Sequence, residues 1–396
     1  MIPDNKFNSK FENFNNKSIN DNNITRFIHA SDIHLGSHQY SNKYRSDDFI
    51  RAFQEILELA IKHNVDFIIL GGDVFTSLEM LPGKLTKIIE LLKDFNEYTN
   101  SSILIIAIEG NHDIRKFSRG IRFEKRGQSW LKLLNSLGLI ILLDVDLKDP
   151  LEKIFVPYNF NTKKGGKIKI KNVVVYGTQY LGEQPSSALS KIRRAIVKEN
   201  GLFNILLQHF GIEGQMDNIP GVKLEDIHSL HHRVDYLALG HFHKQFILED
   251  WIYNPGSSEA VCSVDNSFKR GVFLVQITEK YEKFEKRVIN LHLFNRYYLW
   301  KSVYLNFEMR NNKEIQQYIL KNLENSLKDL NYKYHPSTPK MPILYLILKG
   351  IKPSKSCKIK EKELRSKICD TFPVVDVRIY QKYMNSLKTI DNYLLT

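Results

Sequence analysis

The sequence predicts an α/β protein built on a largely parallel β-sheet. Apolar runs at residues 26–30, 65–70 and 103–108 indicate short buried strands. Amphipathic helical patterns over residues 46–60 and 83–98 separate these strands. Strands that alternate with helices at this spacing form right-handed βαβ units with parallel strands. Ligands of such sheets bind at the carboxyl ends of the strands.

The elements can be followed along the chain. Ser46 is expected to cap the first helix, with Asp47 and Asp48 in its first turn. The later elements of the main region are helices at 130–137 and 187–199 and strands at 173–176, 203–207 and 235–239. Two final strands, at 271–277 and 287–294, are expected to complete a second sheet.

The composition changes near both ends of the chain. The Asn-rich residues 1–23 are predicted to be a disordered tail. Residues 24–298 form the main domain, and residues 299–396 are expected to form a small α+β domain. The predicted elements of that domain are helices at 312–327 and 360–369 and strands at 343–348 and 374–379.

Charge and cysteine content limit the classes of function. The 396 residues carry a net charge of +13, which favours a polyanionic partner such as nucleic acid. The three cysteines form no CxxC pair, so we expect neither disulfides nor a thiolate zinc site, and a reducing cytosol fits. No apolar run is long enough to predict a membrane span, and we expect no signal peptide at the N-terminus.

Metal-binding side chains follow the predicted strands. They are Asp32, His34, Asp73, Asn111, His209, His241 and His243. Carboxylate and imidazole together suit manganese, iron or zinc. Seven donors exceed the needs of one ion, so two ions about 3.5–4 Å apart that share a carboxylate fit better. Asp73 is the best candidate for the shared ligand.

His112 is a surplus imidazole next to Asn111 in the sequence Gly110-Asn111-His112-Asp113. It can stabilise a transition state or protonate a departing oxygen, with Asp113 orienting its ring. His29 and His38 are expected to be structural. Each motif alone is more often a turn, a loop or packing than a metal site, and the metal-site prediction rests on their joint occurrence after apolar strands.

A basic run follows the Asn-His-Asp sequence. Its cations include Arg115, Lys116, Arg119 and Arg122. Such a run can be a solvated loop, but its place beside the predicted site favours contact with a phosphate backbone.

These motifs resemble the calcineurin-like metallophosphoesterases. The matching residues are Asp32-x-His34, Gly72-Asp73, Gly110-Asn111-His112-Asp113, His209 and Gly240-His241-x-His243. Within that superfamily, residues 27–36 and 235–243 and the turn at 253–257 are similar to the DNA double-strand-break repair nucleases of the Mre-eleven and SbcD type. The resemblance covers residues 25–298, and the region from 299 onward is similar only in layout to that family's DNA-capping domain.

The resemblance implies a fold, a site and partners. The fold would be a four-layer αββα sandwich with a small C-terminal α+β capping domain. Asp32, His34, Asp73 and His243 would hold one manganese ion, and Asp73, Asn111, His209 and His241 the other. His112 matches the catalytic histidine. The implied activity is manganese-dependent exo- or endonuclease cleavage of DNA at double-strand ends and at junctions of single and double strands.

The same resemblance implies a homodimer with an SMC-like ABC ATPase partner of the SbcC or Rad-fifty type, in the cytoplasm at the nucleoid. The sequence departs from the family at Thr76, where members often carry a histidine linked to exonuclease attack. Only a short tail follows the last predicted strand, so ATPase-binding helices are expected to be short or missing.

Two other functions are compatible with the residues. The first is a metallophosphatase acting on a small phosphodiester or on a phosphoprotein, although the Asp-Arg-Gly of protein phosphatases is replaced here by Val74-Phe75-Thr76-Ser77. The second is a non-catalytic scaffold that binds DNA ends, against which the complete ligand set argues.

Overall fold

The structure is a computed structural model that describes residues 23–114, 128–182, 185–281, 283–306, 311–327, 334–353 and 359–383. Residues 1–22, nearly all of the predicted N-terminal tail, lie outside the described residues. The chain divides into two compact units, which are Met1–Tyr40 with Phe49–Leu293 and Ser41–Asp48 with Phe294–Thr396. Among the described residues, none of the helices is both long enough and apolar enough to cross a membrane.

The helices and strands are numbered in chain order. The strands are β1 (Ile24–Ala30), β2 (Phe67–Leu70), β3 (Leu104–Ala107), β4 (Ile141–Leu142), β5 (Lys167–Ile170), β6 (Val173–Gly177), β7 (Phe203–His209), β8 (Tyr236–Gly240), β9 (Phe246–Leu248), β10 (Ile252–Asn254), β11 (Gly271–Lys280), β12 (Lys283–His292), β13 (Tyr298–Leu305), β14 (Ile343–Gly350) and β15 (Asp376–Gln381). The α-helices are α1 (Lys43–Lys62), α2 (Pro82–Tyr98), α3 (Trp130–Ser136), α4 (Leu151–Ile154), α5 (Ser186–Ala195), α6 (Leu224–His228), α7 (Asn312–Leu327) and α8 (Glu361–Thr371). Two short 3-10 helices span Gln39–Ser41 and Asp265–Ser267.

The first sheet has the strand order β12-β11-β1-β2-β3-β4. Strands β1 to β4 are parallel, as the alternating sequence pattern predicts. Strands β11 and β12 form an antiparallel hairpin whose first strand pairs with β1. The prediction that these two strands complete a second sheet is therefore wrong. They extend the first sheet instead, because β1 is left with a free edge on the side away from β2.

The second sheet has the strand order β5-β6-β7-β8-β10-β9. Its central strands β6, β7, β8 and β10 are parallel, and an antiparallel strand closes each edge. Both sheets of the first unit thus present the carboxyl ends of parallel strands, where a ligand site is expected.

The first unit has four layers. Its two sheets face each other across a core that includes Phe27, Phe67, Tyr236 and Tyr253. The outer face of the first sheet packs on apolar residues of α2, α3 and the later part of α1. The outer face of the second sheet packs on α5 and α6. The order helix, sheet, sheet, helix is the αββα sandwich that the sequence resemblance implies.

Helix α1 begins earlier than predicted. Asn42 accepts a hydrogen bond from the backbone N–H of Tyr44 through Oδ1 (2.9 Å), so Asn42 caps the helix and Ser46 lies inside it. The buried pair of Asp48 and Arg296, 2.7 Å from Oδ2 to Nε, connects the start of this helix with the C-terminal part of the second unit.

The second unit contains a three-stranded parallel sheet in the order β13-β14-β15. Strand β13 is missing from the sequence prediction, because its residues mix aromatic and aliphatic side chains without a clear apolar face. Helices α7 and α8 both contribute to one apolar cluster, which covers Val303, Leu344, Leu346 and Val377 of the strands. The helices therefore cover one face of this sheet.

Candidate metal centre

The predicted metal-binding side chains come together in the first unit, at strand ends of both sheets. Asp32 and His34 follow β1, Asp73 follows β2, and Asn111 lies after β3. His209 is the last residue of β7, and His241 and His243 follow β8. Each of these strands is a short buried run, and the polar residues at their ends, among them Asp32, His34 and Asp73, are buried as well.

The donors form two clusters. Donor atoms of Asp32, His34 and His243 lie within 4.8 Å of one another. We call this set the first cluster. Within it, Nε2 of His34 and Nε2 of His243 are 3.2 Å apart. Asp32 is held by the hydroxyl of Ser31, which donates to Oδ2 (2.6 Å), and by the backbone N–H of His241.

The second cluster comprises Asp73, His209 and His241, also within 4.8 Å. The amide of Asn111 joins it, since its Oδ1 lies 3.1 Å from Nε2 of His209 and 3.1 Å from Nδ1 of His241. Asp73 Oδ2 lies 3.3 Å from Nε2 of His209 and 3.9 Å from Nε2 of His34. Asp73 is therefore close to donors of both clusters.

The histidine tautomers suit cation binding. Nδ1 of His209 lies 2.7 Å from the carbonyl oxygen of Gly71, and Nδ1 of His243 lies 2.8 Å from Oδ2 of Asp265. Each acceptor needs a proton on Nδ1, so in the neutral ring the lone pair is on the Nε2 that faces the cluster. Nε2 of His243 and Nε2 of His209 lie within hydrogen-bond distance of other donor residues of the clusters, and Nδ1 of the buried His34 has no partner. Divalent cations between the donors would satisfy this arrangement.

Burial and charge act in opposite directions on the pKa values of the donors. Burial lowers the pKa of His34 to about 3 and that of His241 to about 4. Burial also acts against the charged form of His209, but the neighbouring Asp73 raises its pKa to about 9. Burial would raise the pKa of Asp73, yet the attraction of His209 and His34 holds it below its usual range. The pKa of Asp32 is raised by burial.

The backbone at the site is compressed and strained. Asp32, His34, Asp73 and His241 all have positive φ angles, between 49° and 96°, a region that costs energy for non-glycine residues. A side chain at Gly110 would bring its Cβ to 2.2 Å from Oδ1 of Asp73. The glycine in the Gly-Asn-His-Asp sequence is thus required by the close approach of Asp73.

His112 differs from the donors because its side chain is exposed. Its ring centroid lies 5.0 Å from that of His34. Its Nδ1 is 3.0 Å from the carbonyl oxygen of Thr76, and its backbone N–H donates to Oδ1 of Asp73 (2.8 Å). With Nδ1 donating to that carbonyl, Nε2 is left for a ligand outside the two clusters.

Asp113 does not orient His112, contrary to the sequence prediction. Its carboxylate accepts hydrogen bonds from the backbone N–H groups of Val74, Phe75 and Gly110. Burial, together with the charge of Asp73, raises the pKa of Asp113 to about 8, although the hydrogen bonds from Gly110 and Phe75 act to lower it. Asp113 therefore fixes the loops after β2 and β3, and the carbonyl of Thr76 orients His112.

Sequence reasoning missed Asp265 and Ser31. Asp265 is buried and bonded to His243, and it also accepts from the backbone N–H groups of Val261 and Cys262. A metal-bound histidine usually has such a partner, but no local motif identifies a residue 22 positions away. Ser31 could have been found, since it directly precedes Asp32.

The predicted phosphate contacts Arg115, Lys116, Arg119 and Arg122 lie outside the described residues.

A four-layer sandwich with two clusters of carboxylate and imidazole donors at its strand ends defines a metal-dependent phosphoesterase. The chain belongs to the calcineurin-like phosphoesterase family, whose model matches residues 25–245.

Its curated relatives include archaeal proteins named DNA double-strand break repair protein Mre11. The protein of Saccharolobus solfataricus is 25% identical over 94% of this chain and 86% of its own length. That of Sulfurisphaera tokodaii is 26% identical over 85% of this chain and 76% of its own. That of Archaeoglobus fulgidus is 30% identical over 59% of this chain, which spans half the length of that relative. Among solved structures, a dimetal phosphatase from Danio rerio matches 67% of this chain and 98% of its own, at 9% identity and a TM-score of 0.38.

Proposed function

We propose that the protein is a two-metal phosphodiesterase that cleaves DNA during the processing of double-strand breaks. The observation that carries the proposal is the pair of donor clusters, with Asp73 near both and the exposed His112 beside them. Relatives named for double-strand break repair, which align over most of the chain, support DNA as the substrate.

The residues divide between two divalent ions. Asp32, His34, Asp73 and His243 would hold one ion, and Asp73, Asn111, His209 and His241 the other. Mixed carboxylate, imidazole and amide donors suit manganese, iron or zinc, and we propose manganese because the family resemblance implies it. When bound, such a pair of ions activates water and neutralises charge on the phosphate that is attacked.

The remaining groups position the substrate and move a proton. Asp113 holds the loops after β2 and β3, so that Asp73 and His112 keep their spacing. The carbonyl of Thr76 orients the ring of His112. With Nδ1 donating to Thr76, Nε2 of the neutral ring would accept a proton, and Nε2 of the doubly protonated ring would donate a hydrogen bond to the phosphate or a proton to the departing oxygen.

The net charge of +13 favours a polyanionic substrate. We assign phosphate contacts to Arg115, Lys116, Arg119 and Arg122, and a DNA-capping role to residues 299–396. A homodimer with an SMC-like ABC ATPase partner, at the nucleoid in the cytoplasm, completes the proposal. Double-strand ends and junctions of single and double strands are the proposed sites of cleavage.

A cleavage assay with labelled DNA tests this function. We expect cleavage with manganese, none with EDTA, and loss of cleavage in His112→Ala. His228→Ala is the matched control, because His228 is an exposed histidine bonded to Glu249 rather than to the clusters. Equal cleavage by wild type and His112→Ala would contradict the assignment. Turnover of a small phosphodiester without DNA binding would indicate a metallophosphatase instead.

A further inference from the structure

Among the described residues, helices α7 and α8 of the second unit cover one face of its sheet and not the other. The apolar cluster with α7 and α8 uses alternate residues of the strands, such as Val303, Leu344 and Leu346. The residues between them point to the opposite face, because side chains alternate along a strand. We call this opposite face the aromatic face. Its residues are Tyr298, Trp300, Ser302, Tyr304, Ile343, Tyr345, Ile347, Lys349, Asp376, Arg378 and Tyr380.

Aromatic rings form a continuous layer on this face. Tyr345 lies at its centre and is fully buried by its neighbours. The ring of Trp300 is 4.4 Å from that of Tyr345, and those of Tyr298 and Tyr380 are 5.5 and 5.7 Å from it. Trp300 nevertheless remains 50% exposed, and Tyr304, four residues further along β13, is 60% exposed. Large aromatic side chains with this exposure are costly in water unless a ligand covers them.

Apart from the buried Asp376, the charges of the aromatic face are positive. Lys349 lies over the ring of Tyr304, with Nζ 5.6 Å from the ring centroid. Arg378 is paired with Tyr345 in the register of β14 and β15. Asp376 is the only carboxylate in the three strands, and it is buried and bonded to Arg365. The exposed rings are therefore accompanied by cations and not by exposed carboxylates of the same strands.

We propose that the aromatic face binds single-stranded nucleic acid, with bases stacked on Trp300 and Tyr304 and phosphates near Lys349 and Arg378. Stacking rings with adjacent cations are the general means of binding unpaired bases without sequence preference. A protein partner would also use tryptophan and tyrosine. The absence of exposed carboxylates among the three described strands favours a polyanion, as does the net charge of +13. This binding site deepens the DNA-capping role proposed for residues 299–396 and is separate from cleavage, because stacking needs neither the ions nor His112.

The first test measures binding of the full chain to fluorescein-labelled oligothymidylate in EDTA, so that cleavage cannot interfere. Removing one stacking ring costs about 1–3 kcal/mol per base, so Trp300→Ala and Tyr304→Ala should each weaken binding about 5- to 150-fold. Tyr281→Ala is the matched control, since Tyr281 is 98% exposed in the first unit. It should leave the affinity within about twofold, because it removes a ring that stacks on nothing.

The second test uses the tryptophans as reporters. Of the three tryptophans, Trp251 is only 3% exposed and Trp130 is partly buried, so a base that stacks on Trp300 should quench the fluorescence of the most exposed indole. Oligothymidylate should quench the wild-type emission, and Trp300→Phe should lose that quenching while keeping a ring that still binds.

Three results would overturn the proposal. They are wild-type protein that binds no oligothymidylate, quenching that survives in Trp300→Phe, and equal weakening by Tyr281→Ala. If Trp300→Ala instead changes the elution volume in size-exclusion chromatography and leaves DNA binding intact, the aromatic face is a protein interface. A failure of manganese-dependent cleavage would not affect these results, because the measurements are made without metal.

Discussion

The two donor clusters of the first unit differ in what holds their side chains. In the first cluster, the carboxylate of Asp265 orients His243 and the hydroxyl of Ser31 holds Asp32. In the second cluster, the carbonyl of Gly71 orients His209 and the backbone N–H of His112 holds Asp73. Two side chains thus support the first cluster, where Asp32 also accepts from the backbone N–H of His241, whereas the supports named for the second cluster are main-chain groups.

This difference has a practical consequence. A substitution outside the donor set can weaken the first cluster alone, because its supporting groups are side chains. The second cluster can be altered only through its own donors or through the path of the backbone. Asp73 is close to both clusters, so its loss should weaken ion binding at both of them.

Asp73→Ala should have the largest effect. Removing the carboxylate near both clusters takes away several kcal/mol of charge stabilisation, which corresponds to a loss of about 10²- to 10⁴-fold in the rate of phosphodiester cleavage. Isothermal titration with manganese should show two ions bound by the wild type and a defect at both positions in the variant. If one position keeps its wild-type affinity, Asp73 does not serve both clusters.

Gly110→Ala tests the role of the backbone without removing a donor. The new Cβ would lie 2.2 Å from Oδ1 of Asp73, so the carboxylate or the loop must move. A displacement of about 1 Å can cost about 10²-fold in rate. The control is Gly83→Ala, where a Cβ meets nothing within 4 Å. Wild-type cleavage by Gly110→Ala would show that Asp73 tolerates this shift.

Asp265→Asn should affect only the first cluster. Loss of a carboxylate partner of a metal-bound histidine usually costs about 10- to 100-fold in metal affinity. We expect the titration to show one weakened ion and one unchanged ion. A uniform weakening of both would mean that the clusters are supported as one unit. Cys262→Ser controls for disturbance of the same loop, since its sulfur also contacts Asp265 (3.1 Å).

The sequence predicted the convergence of these side chains better than it predicted their hydrogen-bond partners. Asp32, Asp73 and His209 each follow an apolar strand, and parallel topology brings such strand ends to one edge of a sheet. Local pattern suffices for this inference. The pairing of β11 with β1 and the bond from Asp265 to His243 are contacts between distant parts of the chain. No local pattern encodes them, and the orientation of His112 by Thr76 depends on a backbone path that residue types do not reveal.

Substitution of His29 should have the smallest effect and should leave both clusters unchanged. It is fully buried beneath the site, where its ring contacts the hydroxyl of Tyr236 and the carbonyl of Leu239. Burial lowers its pKa from 6.5 to about 3. The unfolded chain therefore binds a proton that the folded chain excludes, so this residue costs stability as the pH falls below 6.5.

Comparison of wild type with His29→Gln isolates this contribution, since an amide can bond to both neighbours without titrating. Between pH 7.5 and pH 5, the wild type should lose about 2 kcal/mol more of its free energy of unfolding than the variant. Urea denaturation of the metal-free protein at each pH measures the difference, and manganese titration should give equal affinities. If the free energies of unfolding of the two proteins depended on pH in the same way, His29 would be protonated in the folded protein. The two sheets would then be joined beneath the first cluster by a charged group.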